Sequence, residues 1–86
     1  MTSHIPPQMQ RGDVCARAGH PVTANPYQPN TAAYFQWHAD WHDFLARCPK
    51  TPQQRQDRSK FEKLATMYRR QASAAALTDT HGEAGR

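Results

Sequence analysis

Apolar residues recur along this chain in two long blocks with helical spacing, separated by stretches in which proline, glycine and small polar residues break any period. The clearer block spans residues 31–47. Tyr34, Trp37, Trp41, Phe44, Leu45 and Cys48 fall within an arc of about 100° at a helical advance of about 100° per residue, which predicts an amphipathic helix with Asn30 or Thr31 as its cap. Asp43 and Arg47 stand four apart on its polar side, where they can pair. The second block opens with Thr51-Pro52-Gln53-Gln54. A threonine cap, a proline at the first helical position and a glutamine at the third form a capping box, which predicts a helix over 51–77. Phe61, Leu64, Ala65, Tyr68, Ala72, Ala75 and Ala76 make its apolar face, with Arg55, Lys63, Arg69 and Arg70 on the other side. Because the connection over 48–50 is so short, the two helices are expected to form an antiparallel hairpin.

A weaker helical signal covers 8–18. It stops at Gly19, which suits the left-handed position after a helix, and Pro21 just beyond prevents continuation. Gly12, Ala16 and Gly19 recur at i, i+4 and i+7 beside Met9, leaving a face of small residues that another helix can approach closely. Residues 20–30, with Pro21, Pro26 and Pro29, read as a turn-rich linker. The ends, 1–8 and 78–86, carry no period and are expected to be frayed tails. The pattern therefore predicts an all-α protein: one domain over 9–77 with three helices, its third helix occupying 50–77.

Composition limits what such a fold can do. Among the hydrophobic residues of this 86-residue chain, 13 are alanine and 2 are cysteine, leaving 17 larger apolar side chains for a core. A chain this short buries only about 60% of its unfolded surface. Little room remains for an enzyme pocket, and the thin core and the run Ala72, Ala74, Ala75, Ala76 make a homodimer a candidate assembly. No apolar stretch is long enough for a membrane span or a signal peptide, so a cytoplasmic protein without membrane contact is expected. Cys15 and Cys48 are too few for a disulfide scaffold and read as free thiols acting as small buried residues.

The net charge of +4 is unevenly placed. Residues 1–49 hold three arginines and three aspartates and are neutral; residues 50–70 hold seven cations against two carboxylates, a local excess of +5. Arg55, Arg58, Lys63, Arg69 and Arg70 are the candidates for contact with a nucleic-acid backbone, the alternative being a solvated face.

Trp37 and Trp41 sit in the middle of the apolar stripe and read as core. Phe35 projects about 130° from the stripe centre, beside His38 and His42. This trio could stack on unpaired bases or fill a partner's groove, or it could be covered by the first or third helix. Ala39 follows His38 where a metalloprotease motif needs glutamate. A zinc site from the two histidines and the cysteines is disfavoured by the direction of Cys48, so no metal is assigned. If the two rings lie close together, they resist double protonation. No phosphate loop, nucleophile elbow or spaced carboxylate pair is present, so neither a cofactor nor an enzymatic activity is expected.

Gln10-Arg11-Gly12, Gly19, Asn25-Pro26-Tyr27 and Trp37-x-x-x-Trp41, taken together, resemble the ribosome modulation factor family, including its CrpP-like relatives on mobile elements. The resemblance covers about residues 10–45. It implies two helices joined by a Pro-Tyr linker and folded around the tryptophan pair, with Gly12, Gly19, Pro26, Tyr27, Trp37 and Trp41 as scaffold. It also implies binding to small-subunit ribosomal RNA, repression of translation and ribosome hibernation. Asp40 stands where the family usually has glycine, and the basic third helix has no counterpart in the shortest members. The leading expectation is a small repressor that meets ribosomal RNA through the third helix and the Phe35/His38/His42 surface. The alternative is a phage- or plasmid-encoded inhibitor or adaptor that uses the same scaffold against a host protein.

Overall fold

The computed structural model describes residues 5–84, with side chains as far as Leu77. Residues 1–4, 85 and 86, where part of each tail was expected, lie outside the described residues. Within them all regular structure is helical: α1 (Gly12–Ala18), α2 (Ala32–Arg47), α3 (Pro52–Gln56) and α4 (Arg58–Ala84), with single 3-10 turns at Pro7–Met9 and Val22–Ala24.

The expected helix over 8–18 is divided. Pro6 and Pro7 start a 3-10 turn, and Arg11 then takes an extended conformation before α1 begins. The break has a physical cause: it turns backbone carbonyls outward to side chains of other segments. Met9 O accepts from Trp37 Nε1 and Gln10 O from the Tyr27 hydroxyl, both at 3.0 Å. A continuous helix would have used those carbonyls internally. At its other end α1 stops as predicted. Gly19 has φ +92°, its N–H donates to Ala16 O at 3.1 Å and the His20 N–H donates to Cys15 O at 2.9 Å, the paired bonds of a Schellman cap.

Thr31 caps α2, its hydroxyl accepting from Tyr34 N at 3.2 Å, while Asn30 takes the left-handed turn before it at φ 69°. Thr51 caps α3 in the same way through Gln54 N. The reciprocal bond is shifted by one residue, since Gln54 Oε1 accepts from Lys50 N instead of Thr51 N. The expected helix over 51–77 is broken at Asp57 (φ −91°, ψ 8°), which separates α3 from α4. Beyond position 77 the chain meets no proline, and α4 stays helical to Ala84 where a tail was expected from 78.

α2 is the central element. α1 crosses it on one side, and α4 packs along the other. Phe35 and His42 of α2 meet Tyr68 of α4, and Trp41 and His42 meet Phe61. Towards the start of α2, Ala32, Ala33 and Gln36 share a groove with Ala72, Ser73 and Ala76. Cys15, Ala16, Trp37, Ala39, Leu45, Ala46, Ala65 and Ala72 form the buried apolar core. It is thin, as composition requires, with Trp37 the only large side chain buried below 2% exposure among the described residues. Two expectations fail at its edge. Cys48, at the end of α2, and Ala76, at the rim of the groove between α2 and α4, are exposed.

Candidate nucleic-acid interface

Once the helices are in place, the cations of the basic segment differ in what engages them. Lys50 is an internal fastener. Its ammonium donates to the carbonyls of Ala16 and Arg17, closing the C-terminal end of α1, where a positive charge also meets the negative end of the helix dipole. Arg69 is partly engaged as well. Its guanidinium lies 3.4 Å from Asp40 and 3.6 Å from Asp43 on α2, and Asp43 pairs in turn with Arg47 at 3.1 Å. The expectation that Arg69 faces away from the other helices is therefore corrected. Asp40 is half buried, and that burial raises its carboxyl above the ordinary value, against the pull of a Gln36 hydrogen bond and Arg69.

Arg55, Arg58, Lys63 and Arg70 are exposed, and none of them forms an ion pair among the described residues. Glu62, Lys63, Thr66, Met67, Arg70 and Gln71 line a shallow depression on the outer side of α4. The period of α4 explains the arrangement: Phe61, Leu64, Ala65, Tyr68 and Ala72 turn one side to α2, which leaves the intervening polar positions outside. Met67, 40% exposed, lies among the cations.

The second half of the expected surface is closed. His38 and His42 are 8% and 7% exposed, and Phe35 is half buried with its ring stacked 6.4 Å from that of Tyr68. The expectation of an open Phe35/His38/His42 contact surface is thus corrected: α4 covers the two histidines, the other outcome open from the sequence. Tyr68 stands 4.9 Å from the His38 ring and 5.4 Å from that of His42, with Phe61 at 6.1 Å from His42. Burial holds both imidazoles below their ordinary value. His42 adds to the effect on His38, and Lys60 adds to that on His42. No group of three or more His, Cys, Asp or Glu among the described residues is arranged to hold a metal ion.

Asn25, Tyr27, Trp37 and Trp41 each fasten one segment to another. Trp41 Nε1 donates to His20 O at 3.0 Å, as Trp37 and Tyr27 do to Met9 and Gln10. Asn25 Oδ1 accepts from Tyr27 N across the exposed Pro26, and Asn25 Nδ2 donates to Tyr34 O, both at 3.0 Å. Gly12 is buried against the α2 backbone. Gly19 supplies a turn, not a contact, since nothing lies within 4 Å of where its side chain would be. Lys50 and Asp40 are the structural contributors that periodicity passes over, because a carbonyl of a distant helix is invisible to a local pattern.

No helix among the described residues is long and apolar enough to cross a membrane. No family model matches the chain, nor does any curated protein or solved structure.

Proposed function

We propose that this protein is a small ribosome-modulation-factor-like repressor that binds ribosomal RNA through the exposed cations of α3 and α4, with α2 and α4 as an antiparallel pair that holds them in place. The observation that carries the reading is Arg55 on α3 with Arg58, Lys63 and Arg70 on α4: exposed cations without carboxylate partners among the described residues, on a chain whose first 49 residues are neutral. Exposed cations of this kind neutralise phosphates and release counterions, giving attraction that falls with salt and depends little on base sequence. Arg69 steers but contributes less, being shared with Asp40 and Asp43. Phe35, His38 and His42 serve the fold in this reading and leave the RNA contact to α3 and α4. Binding blocks translation by occupying the subunit surface.

Sucrose-gradient sedimentation of lysate from expressing cells tests this reading. Migration with the small subunit at low salt and an increased ribosome-dimer peak support it, whereas a protein that stays at the top of the gradient with an unchanged dimer peak contradicts it. A second reading, an adaptor for a host protein, draws on Met67, an exposed apolar side chain ringed by polar ones in the manner of an interface anchor. One stoichiometric partner that survives nuclease treatment in a pulldown would favour it.

A further inference from the structure

The amide of Asn25 has only one workable orientation. Its oxygen accepts the Tyr27 N–H and its nitrogen donates to the Tyr34 carbonyl, each at 3.0 Å, so a flipped amide would set donor against donor and acceptor against acceptor. The same nitrogen lies 2.7 Å from His38 Nδ1. With Asn25 necessarily the donor, Nδ1 must accept, and His38 is neutral with its hydrogen on Nε2. His42 is arranged in the opposite sense. Its Nδ1 lies 2.8 Å from the His38 carbonyl oxygen, which can only accept, so this ring carries hydrogen on Nδ1 and a further proton would leave that bond intact.

We propose that Asn25 and His38 form a proton-operated latch, in which a proton taken from solvent by His38 Nδ1 ejects the Asn25 amide and frees the 20–30 linker from α2. Protonation turns the acceptor into a second donor facing an NH2 group. The charged ring then competes for the Tyr34 carbonyl, which Asn25 occupies in the neutral state. Three further links hold the same wrap around α2: Tyr27 to Gln10, Trp41 to His20 and Trp37 to Met9. Loss of Asn25 loosens the first two at their linker ends.

The surroundings favour the neutral ring. From α2, His38 faces Tyr34, Trp37 and His42; from α4, Tyr68; from the linker, Asn25. The charged group acting on the pair is Lys60 of α4, next to His42. The carboxylates nearby in sequence, Asp40 and Asp43, are turned to Arg69, and Asp13 of α1 acts on Asp40 and Cys15. Desolvation opposes a charge on either ring, with His42 adding to it at His38 and Lys60 at His42, and together they outweigh the carbonyls of Tyr34 and His38 that favour the charged forms. The latch is closed near neutrality and opens in acid.

Imidazole 15N NMR of the full chain with side-chain amide exchange, followed from about pH 7.5 to about pH 5, tests the latch. The expected result is an unprotonated His38 Nδ1 at the upper pH, and loss of the slowed exchange of the Asn25 amide at the midpoint where Nδ1 takes its proton. In His38→Gln, whose side-chain oxygen can accept from Asn25 at any pH, that protection persists into acid. His42→Gln leaves the coupling between His38 and Asn25 in place. A protonated Nδ1 at the upper pH, or Asn25 protection that outlasts His38 titration, overturns the proposal. So does protection lost alike in the wild type and in a folded His38→Gln. If His38→Gln does not fold, the two wild-type midpoints decide.

Discussion

A methyl group on the Cα of Gly12 would lie 1.9 Å from the carbonyl oxygen of Trp37, and 2.8 Å from the amide nitrogen of Trp41. α1 and α2 therefore touch backbone to backbone, and neither obstructing atom belongs to a side chain that can rotate away. Gly12→Ala must part the helices, disturbing Ala16 and Trp37 in the core. The expected loss is at the upper end of the overpacking range, about 3 kcal/mol, read as a lowered urea midpoint. Gly19→Ala, in open space but at φ +92°, should cost only the left-handed strain of about 1 kcal/mol. Equal midpoints for the two variants would contradict the packing described here.

The two cysteines should differ sharply in reactivity. Cys15 is fully buried, its thiol pushed up by burial and directed at Gln8 O, whereas Cys48 is exposed. Since the thiolate is the reactive form, a disulfide reagent added to the native protein should titrate one thiol quickly and the second only with unfolding. Two fast thiols would show that α1 does not stay seated on α2.

Acid should destabilise the fold in the range where histidine titrates. Burial depresses the imidazoles of His38 and His42 in the folded state, so below the unfolded value of 6.5 the unfolded chain binds protons that the native chain refuses. Their contribution is complete above that value and declines as pH falls towards the depressed folded values, by about 1.4 kcal/mol per pH unit for each group. Asp40, whose carboxyl is raised by burial, acts in the opposite sense, because its protonated form is favoured in the native state. Urea midpoints across the range should therefore fall towards acid in the wild type, and fall less in His38→Gln. A flat profile in the wild type would contradict the buried positions.

Arg69 and Asp40 should couple only weakly. The pair is long, at 3.4 Å, and Arg69 is 47% exposed, so a double-mutant cycle with Asp40→Asn and Arg69→Gln should return less than about 1 kcal/mol. A larger coupling energy would make the pair a main fastener of α2 to α4, which the apolar contacts are assigned here.

Much of the helical plan is legible locally. Thr31 and Thr51 cap where a cap was expected, Gly19 ends α1, and Phe61, Ala65, Tyr68 and Ala72 face inward, because each depends on residues within a turn or two. The position of His38 and His42 is not legible in that way. A single apolar stripe implies one covered side, but α2 is covered on two, and its second side is made of histidine, alanine and Phe35, which a hydrophobic period does not register. The break at Asp57 is likewise not legible, since no glycine or proline within four residues marks it. For the candidate interface, the sequence identified the charge excess but could not tell Lys50 and Arg69, held by α1 and α2, from Arg55, Arg58, Lys63 and Arg70 outside.

The central claim, that the exposed cations of α3 and α4 attract RNA, is tested most directly by the salt dependence of binding to purified small-subunit ribosomal RNA. Because α4 supplies the larger part of the packing around α2, deleting it would remove the fold along with the charge. The informative comparison is the wild type against a folded variant carrying Arg55→Gln, Arg58→Gln, Lys63→Gln and Arg70→Gln. Four lost phosphate contacts should flatten the slope of log affinity against log salt by about 3, with Arg69→Gln alone changing it less. A slope and an affinity unchanged in the quadruple variant, or no binding by the wild type at low salt, would contradict the account.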